Sequence, residues 1–466
     1  MLQLYSTLAR EKVPLTTKAG EPVTIYTCGL TVYSQPHIGN WVSYVYWDVL
    51  VRLLSQQGIP VKRVQNITDV GHLVSDDDDG EDKMQKGAKK EGITAWDVAE
   101  KYSKIAEHEA YDLLRLKRPD AMPRATDYID EQIAFVQELE NKGYTYVIDG
   151  DGLYFDTARL SDYGKLARLD IDGLEAGKRV QNRQKRNKTD FAVWKFSPKG
   201  AKRDMEWDSP WGKGFPGWHL ECSVMARELL GDQIDIHTGG VDHIAVHHTN
   251  EIAQTEAITN KPFAHIWLHN NHLKVDGQRM AKSIGNIITL QDIIDRGYSV
   301  DAFKLLVLSS HYRSEGNFTW EIMAAAGARL RDLQHMADLQ HQARDVDPWL
   351  HTAEWTDQLL SAMSDDLNTP QALTILSEIA QRCSDHPLAP TDTIQLRQLL
   401  KFIDSVFGLT LSQRPSVSPS EQKMLDERDS ARERKDYAAA DELRHRLLEA
   451  GIMVRDTAHG QIWAKE

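Results

Sequence analysis

The sequence predicts an α/β domain built on a parallel sheet and interrupted by an insertion, followed by an all-helical region and a small α+β module. Three observations support this fold class. Residues 23–120 alternate strand-like and helix-like runs, the balance of apolar and charged residues changes over about 121–200, and apolar residues recur at helical spacing after about residue 320. The length of 466 residues exceeds what one hydrophobic core usually spans, so several domains are expected.

The first strand and helix flank the most informative segment of the chain, Cys28–Asn40 (CGLTVYSQPHIGN). Val23–Tyr26 has the apolar character of a buried strand, and Trp41–Leu54 is apolar enough for a core-facing helix. Cys28 is therefore expected at a strand end and His37–Asn40 at a helix start. In open α/β sheets, nucleotides bind at strand ends and helix N-termini.

The following elements continue the α/β pattern and then interrupt it. Val61–Ile67 is predicted to be a second strand, and the acidic segment Ser75–Gly80 a solvated loop. Asp130–Asn141 is predicted to be helical, and Tyr144–Asp156 reads as a hairpin because two β-rich runs flank Asp-Gly-Asp-Gly. The core is expected to resume with a strand at Ile234–His237.

The C-terminal part is predicted to be helical apart from its end. The apolar positions that recur at helical spacing are Ile322, Ala326, Leu330, Leu333, Met336 and Leu339, and then Leu359, Met363, Leu367, Leu373, Leu376 and Ile379. Leu411–Ser420 is a Pro/Ser-rich linker, and a charged helix pair over Ser420–Ala450 precedes a short β-like end.

Composition limits the class of protein. The three cysteines, Cys28, Cys222 and Cys383, are too few for a disulfide framework and are expected to be free thiols or metal ligands. The net charge of −14 argues against nucleic-acid binding by charge alone, although Lys178–Lys188 could form a local basic surface or a solvated loop. The sequence has neither a signal-peptide pattern nor a long apolar run, so a cytoplasmic location is expected.

One group of residues suggests a metal site. His247 and Glu251 lie four residues apart in a helix-like run and would share one helix face, which suits a metal but also an ordinary surface contact. Cys28 and Cys222 add two thiolates, and this mixture of sulfur, imidazole and carboxylate suits zinc. Short CxxC spacing is absent, so the pattern indicates a metal inside a functional pocket, with Cys383 an inert thiol.

A second group suggests ATP. His37 and Asn40 stand at a helix start, where backbone N–H groups and the helix dipole favour phosphate. Far downstream, the polar segment Gln278–Ser283 follows the strand-like Leu273–Val275. Its Arg279 and Lys282 could neutralise a triphosphate whose α-phosphorus is attacked.

Taken together and in this order, these motifs are specific. HIGN and RMAKS look like the HIGH and KMSKS signatures of class I aminoacyl-tRNA synthetases. The chain resembles cysteinyl-tRNA synthetases over essentially its whole length. The segments that resemble that family are CGLTVYSQPHIGN, NITDVGH, GWHLECS, HTGGVDH, HHTNEIAQ, VDGQRMAKSIGN, DDLNTPQAL and KDYAAADELRHRLLEAGIMVRDTAHGQIW.

The resemblance implies the domain organisation. It indicates a Rossmann-type catalytic domain in two halves (1–120 and 201–270) around a connective insertion (121–200), a stem-contact segment with the KMSKS-like loop (271–320), a helical bundle (321–410), and a linker with a C-terminal anticodon-binding module (411–466).

The resemblance also implies roles for individual residues. One zinc ion per chain would be held by Cys28, Cys222, His247 and Glu251. Cysteine would be bound near Cys28, Gly29, Thr68, Trp218 and His237. ATP, with Mg²⁺, would contact His37, Gly39, Asn40, Arg279, Met280, Lys282 and Ser283, among which His37, Asn40 and Lys282 are the catalytic candidates. The implied partner is tRNA(Cys), and a monomer is the family expectation.

The implied chemistry is consistent with the metal. Cysteine differs from serine by sulfur for oxygen, a difference that an apolar pocket discriminates by only about 10- to 200-fold. Zinc prefers thiolate to hydroxyl, so no separate editing site is expected. The reaction would form cysteinyl-adenylate from ATP and then transfer the cysteinyl group to the terminal ribose of tRNA, with positioning and charge neutralisation but no protein general base.

The sequence departs from the family pattern at four positions. Asn40 replaces the last His of HIGH, Arg279 the first Lys of KMSKS and Ala281 its middle Ser, while Thr249 replaces a Glu in HHENE. Asn keeps a donor and Arg keeps the charge, so altered contacts rather than loss of ATP binding are expected. Thr249 is not one of the four proposed zinc ligands.

Alternative functions use the same motifs. A ligase that joins activated cysteine to an amino-sugar amine, as in mycothiol synthesis, would need the same zinc and ATP sites but has little use for the chain beyond Trp320. An inactive paralogue that binds tRNA as a regulator would not need all four ligands. Arg455, Asp456 and Trp463 are candidates for reading the anticodon, although Trp463 could equally cap a small hydrophobic core.

Overall fold

The first βαβ unit forms as the apolar pattern predicts. The computed structural model describes residues 1–18, 20–70, 83–169, 184–198, 200, 203–281 and 284–466. Its first elements are β1 (Gln3–Ser6), β2 (Glu11–Pro14), β3 (Val23–Thr27), α1 (Ile38–Gln56) and β4 (Val61–Gln65). β3 and β4 pair in parallel with Val23 opposite Val61, and α1 covers them with buried side chains that include Trp41 and Trp47.

Three segments named in the sequence predictions lie wholly or partly outside the residues that the structure describes. The acidic segment Ser75–Gly80, the first part of the basic segment Lys178–Lys188, and the pair Lys282 and Ser283 lie outside the described ranges. Of the basic segment, Lys185, Arg186 and Lys188 are described.

A helical region follows β4. Its elements are α2 (Lys83–Glu91), α3 (Ala95–Glu107), a π-helical turn (His108–Leu113) and α4 (Ile129–Asn141). Thr94 caps α3, because its hydroxyl accepts a hydrogen bond from Asp97 N while the Asp97 carboxylate accepts one from Thr94 N. The predicted helix at Asp130–Asn141 is confirmed.

An antiparallel sheet then interrupts the α/β core. Its strands are β5 (Thr145–Ile148), β6 (Gly152–Phe155), β7 (Phe191–Phe196) and β8 (Gly214–Pro216), in that order across the sheet. The hairpin predicted at Asp-Gly-Asp-Gly is confirmed by the pairing of β5 with β6. The sheet continues to Pro216, beyond the predicted boundary at residue 200, because β8 pairs with Trp194 and its neighbours in β7.

The α/β core resumes with α5 (Trp218–Leu230), β9 (Ile234–Gly240), α6 (His247–Thr259) and β10 (Ala264–Asn270). The strand order is β10-β9-β3-β4, and every pair in this sheet is parallel. The predicted parallel α/β class is therefore confirmed. Since all four strands run the same way, their carboxyl ends lie at one edge, where Cys28 follows β3.

A small sheet and a helical region follow. The next elements are β11 (Leu273–Val275), β12 (Gln278–Arg279), α7 (Leu290–Asp295), α8 (Val300–Leu308) and β13 (Gly316–Phe318), and then α9 (Trp320–Asp338), α10 (Thr352–Ser364), α11 (Thr369–Asp385) and α12 (Pro390–Phe407). The predicted all-helical region is confirmed. Its buried leucines, such as Leu373 and Leu400, share one hydrophobic core with Leu50 and Leu54 of α1. Within the described ranges, no helix combines the length and hydropathy needed to cross a bilayer.

The chain ends in a small α+β module: α13 (Pro419–Glu433), α14 (Tyr437–Glu449), and the antiparallel pair β14 (Ile452–Thr457) and β15 (Gly460–Lys465). Trp463 is 6% exposed and lies in the module's core, which favours the interpretation as a core residue over one that reads a base. Arg455 donates to Ser384 O (2.8 Å), and the Asp456 carboxylate accepts from Arg428 (2.9 Å). Each of the three anticodon candidates thus has an intramolecular role.

A buried ion pair joins this module to the helical bundle. Asp338, at the end of α9, is fully buried and accepts hydrogen bonds from Arg414 Nε (2.6 Å), Arg414 Nη2 (2.8 Å) and Lys465 N (2.9 Å). We expect Asp338→Ala to destabilise the protein by about 3–5 kcal/mol, because it leaves the Arg414 charge without its partner. Urea unfolding would measure this loss. Asp332→Ala, at an exposed position of the same helix, should change stability by less than about 0.5 kcal/mol, and equal effects of the two variants would contradict the role of the ion pair.

Candidate functional site

A large cleft opens at the carboxyl edge of the parallel sheet. Its volume is about 820 Å³, within the range of small-molecule sites. The predicted site residues that line it are Cys28, Gly29, His37, Gly39, Asn40, Trp218, His247, Arg279 and Met280. Residues from the two predicted constellations, one for a metal and one for ATP, therefore share one cavity.

The four predicted metal ligands come together beside this cleft. Cys28 follows β3, Cys222 lies on α5, and His247 and Glu251 lie one turn apart on α6, with their ligand atoms all within 4.8 Å of one another. Cys28 Sγ is 3.9 Å from Cys222 Sγ and 3.7 Å from Glu251 Oε1, and His247 Nε2 is 2.9 Å from Glu251 Oε1. All four side chains are buried.

This donor set fits zinc. Structural and catalytic zinc sites use thiolate, imidazole and carboxylate ligands, with Zn–S distances of about 2.3 Å and Zn–N distances of about 2.0–2.1 Å in a tetrahedron. Such a tetrahedron spaces its ligand atoms by a few ångströms, as the four atoms here are spaced. Four polar groups that converge in a buried place are costly unless a charge or hydrogen bonds compensate them.

The protonation of the cluster shows how these groups compensate one another. Burial raises the pKa of the Cys28 thiol well above its ordinary value, while the hydrogen bond from Cys28 lowers the pKa of Cys222 to about 7. Burial lowers the pKa of His247, but the Glu251 carboxylate and the bond to Cys222 raise it more, to about 10.

Two histidines add a second possible donor set. Cys28, His237, His248 and Glu251 also lie within 4.8 Å of one another. His237 Nε2 is 2.9 Å from Glu251 Oε2, and its Nδ1 is buried with no hydrogen-bond partner among the described residues. His248 Nε2 is 3.4 Å from Cys28 Sγ. His248 was not among the predicted ligands, although it adjoins His247 in a His-His pair.

Further side chains orient the ligands. His219, in the segment GWHLECS, places Nδ1 2.9 Å from Nδ1 of His247, and the Tyr44 hydroxyl donates to Cys28 O (3.1 Å). Partners of this kind fix the orientation of metal ligands. Neither residue was found from the sequence, because both contacts depend on how neighbouring elements pack in the fold. The position of His219, three residues before Cys222, was the one available signal.

The predicted cysteine-binding residues form two groups: Cys28, Gly29 and Trp218 line the cleft, and Thr68 and His237 are buried side chains. Trp218 lines the cleft and packs against His247 with ring centroids 4.6 Å apart. Thr68 is buried and accepts a hydrogen bond from Asn66 Nδ2 (3.0 Å), while Asn66 Oδ1 accepts one from Gly29 N (2.8 Å). His237 is fully buried and stacks on Trp267 at 4.5 Å.

The HIGN segment forms the start of α1 as predicted. The Asn40 amide oxygen accepts a hydrogen bond from His37 N (2.9 Å), so the Asn at this position helps to cap the helix. Ile38 N donates to Ile288 O (2.8 Å), which ties the helix start to the segment after the RMAKS motif. A Cβ at Gly39 would lie 2.3 Å from Met280 Cε, so the two motifs are in contact.

The other departures also have a structural account. Ala281 N donates to Asn286 Oδ1 (2.9 Å) and Asn286 Nδ2 donates to Arg279 O (3.1 Å), so Asn286 holds the described part of the RMAKS loop through its backbone. The Thr249 hydroxyl donates to Ile244 O (2.7 Å) and is buried. Neither Ala281 nor Thr249 belongs to the metal cluster.

Gly29 is required by the close approach of two backbones. A Cβ at this position would lie 1.5 Å from the carbonyl oxygen of Asn66. We expect Gly29→Ala to destabilise the protein by about 1–3 kcal/mol or more, because the segment after β3 must shift. Thermal unfolding would measure this. Gly327→Ala, on α9 with its nearest neighbour at 3.5 Å, should be neutral or stabilising, and a similar loss in both variants would contradict the steric explanation.

Comparisons with known proteins agree with these features. Residues 15–328 match the family described as tRNA synthetases class I (C) catalytic domain, 360–412 the DALR domain, and 414–463 the cysteinyl-tRNA ligase anticodon binding domain. The chain is 45% identical over 465 residues to cysteine–tRNA ligase 1 of Burkholderia lata (99% of this chain, 96% of the relative). It is 38% identical over 501 residues to cysteine–tRNA ligase of Treponema denticola (100% and 99%).

Solved structures show the same fold at low sequence identity. Mycobacterium tuberculosis methionyl-tRNA synthetase in complex with methionyl-adenylate has a TM-score of 0.60 at 14% identity, over 90% of this chain and 96% of that one. A putative arginyl-tRNA synthetase of Campylobacter jejuni has a TM-score of 0.54 at 12% identity, over 85% and 94%.

Proposed function

Because the chain belongs to the cysteine–tRNA ligase family of class I aminoacyl-tRNA synthetases, we propose a residue-level account of how it selects and activates cysteine. The enzyme attaches L-cysteine to tRNA in a reaction that uses ATP. The observation that carries the account is the convergence of Cys28, Cys222, His247 and Glu251 at the cleft that also contains His37 and Asn40.

In this account, one zinc ion per chain is held by Cys28, Cys222, His247 and Glu251. When bound, zinc would prefer the sulfur of cysteine to the oxygen of serine. His219 orients the His247 ring, and Trp218 covers it from the cleft side. With selection at this point, the chain needs no separate hydrolytic site for misactivated serine.

Activation of cysteine occurs at the start of α1. The His37 side chain and the positive end of the α1 dipole hold the phosphates of ATP, and Asn40 fixes the turn at this helix start by accepting a hydrogen bond from His37 N. Arg279 and Lys282 neutralise the charge that develops when the cysteine carboxylate attacks the α-phosphate. This step forms cysteinyl-adenylate and releases pyrophosphate, and Mg²⁺ would arrive with the ATP.

Transfer to tRNA completes the reaction. The terminal ribose hydroxyl of tRNA(Cys) attacks the activated carbonyl and displaces AMP. The module after residue 414 is the part of the chain that would bind the anticodon. We expect the enzyme to act as a monomer in the cytoplasm.

The amino-sugar ligase alternative shares the cleft but not the rest of the chain. It has no use for the helical bundle or for the C-terminal module, which together match the DALR and anticodon binding families. An inactive tRNA-binding paralogue would not need the buried donor set to stay intact.

Labelled cysteine, ATP and total tRNA test the account directly, with serine as the competing substrate. We expect ATP-dependent charging with cysteine, and discrimination against serine well above the roughly 10- to 200-fold limit of an apolar pocket. Cysteine-dependent ATP–pyrophosphate exchange without tRNA charging would instead support a small-molecule ligase. Binding of tRNA without either activity would support the inactive paralogue.

A further inference from the structure

A buried carboxylate lies beneath the HIGN segment. Glu109 is 4% exposed and occupies the π-helical turn His108–Leu113, which continues α3. Neither the metal cluster nor the ATP contacts described above include it. A carboxylate at this depth is costly unless hydrogen-bond donors compensate its charge.

The donors come from both sides of the HIGN segment. Glu109 Oε2 accepts a hydrogen bond from Trp41 Nε1 (2.7 Å), and the Gln35 side chain also hydrogen bonds to Glu109. Gln35 lies two residues before His37, and Trp41 directly follows Asn40. The carboxylate therefore links the two flanks of the segment that begins α1.

The same chain of contacts continues to the metal cluster. The Trp41 ring is tilted against Tyr44, with centroids 5.8 Å apart, and the Tyr44 hydroxyl donates to Cys28 O (3.1 Å). Trp41 is 1% exposed, so its indole has little freedom to move. The direct contacts of Glu109, with Gln35 and Trp41, therefore restrain the HIGN end of the loop that runs from Cys28 to Asn40.

Glu109 lies at the start of the π-helical turn. Leu114 N donates to Glu109 O (2.9 Å), a bond that spans five residues where an α-helix would span four. One additional residue in the turn rotates the following side chains relative to α3. Single π-helical turns occur often at functional sites, and here the turn carries the residue that contacts Gln35 and Trp41.

We propose that Glu109 is a positioning residue for adenylate formation, which holds Gln35 and Trp41 so that the start of α1 faces the phosphates of ATP. This proposal rests on the assignment of ATP to His37 and Asn40 made above. Glu109 does not touch the reacting atoms in this proposal, and it acts through the two flanks of the segment.

Kinetics on the full-length, zinc-loaded enzyme test the proposal. Glu109→Gln keeps the size of the side chain but replaces one acceptor oxygen by a donor, and Trp41→Phe keeps the packing but removes the N–H. We expect each variant to lower kcat of cysteine-dependent ATP–pyrophosphate exchange by about tenfold to a hundredfold, because small displacements of positioning groups have effects of this size. The double variant should lose little more than Glu109→Gln alone, and zinc content and KM for cysteine should stay at the wild-type level.

The matched control is Glu107→Gln on the adjoining part of α3. Glu107 forms an ion pair with Arg118 at 3.2 Å and is more exposed than Glu109, so its exchange kinetics should be unchanged. Lower melting temperatures for Glu109→Gln and Trp41→Phe with unchanged exchange kinetics would overturn the proposal in favour of a structural role. Loss of zinc in Glu109→Gln would also overturn it. Absence of exchange in the wild-type enzyme would be a failure of the proposed function itself.

Discussion

Cys222→Ser is expected to abolish zinc binding and cysteine activation together. The serine oxygen is a poor zinc ligand. Removal of a residue that only orients a metal ligand lowers metal affinity by about 10- to 100-fold, and the loss of zinc affinity in Cys222→Ser should exceed that effect. Cys28 Sγ, 3.9 Å from Cys222 Sγ, would then be the one remaining protein thiolate of the proposed ligand set. Zinc content by atomic spectroscopy and ATP–pyrophosphate exchange with cysteine would measure the two losses.

The chain offers a matched control for this substitution. Cys383 is also a thiol at 2% exposure, but it lies on α11 in the helical core, away from the cleft. Burial raises the pKa of this thiol to about 12, which keeps it protonated and unsuited to metal binding. Cys383→Ser should keep full zinc content. Retention of zinc and activity in Cys222→Ser would contradict the proposed ligand set.

Lys282→Ala is expected to lower kcat of adenylate formation by about 10²–10³-fold, with a smaller change in KM for ATP. A donor that acts on developing charge contributes mainly in the transition state, and its removal has effects of this magnitude. Lys282 lies outside the described residues, so the expectation rests on its place in the RMAKS segment and on the contact of the neighbouring Met280 with Gly39. Single-turnover formation of adenylate would separate this effect from product release.

Lys274→Ala provides the comparison. Lys274 lies on β11, close to Lys282 in sequence, and forms an ion pair with Glu315 (2.8 Å) in which both side chains are partly exposed. Its removal should leave kcat within about twofold of wild type, because such exposed pairs contribute little. If Lys282→Ala raised KM for ATP but left kcat unchanged, Lys282 would serve ground-state binding rather than the transition state.

Local sequence patterns predicted the elements that position the site. The apolar run at β3, the amphipathic and apolar pattern of α1, and the turn chemistry of the β5–β6 hairpin are each determined by neighbours in the sequence. These signals were sufficient for the parallel α/β class and for the helical C-terminal part. The three-residue strand β8 was not predicted, because it is defined by its pairing with β7.

The site itself was predicted only in part. The order of the motifs and the family resemblance predicted that Cys28, Cys222, His247 and Glu251 form one site. Residue spacing alone could not predict this, because the fold is what places their segments close together. The contact between His219 and His247 depends on the packing of α5 against α6, which no local pattern encodes. Glu109 was missed for a similar reason, because its contact with Trp41 joins residues 68 apart in the chain.

The central claim is that the metal at these four residues selects the thiol of cysteine. Zinc X-ray absorption spectroscopy of the wild-type enzyme, with and without cysteine or serine, tests this claim most directly. The account predicts that cysteine adds one sulfur neighbour at about 2.3 Å to the two that Cys28 and Cys222 supply, and that serine leaves the spectrum unchanged. An identical sulfur count with and without cysteine, in enzyme that charges tRNA, would contradict it.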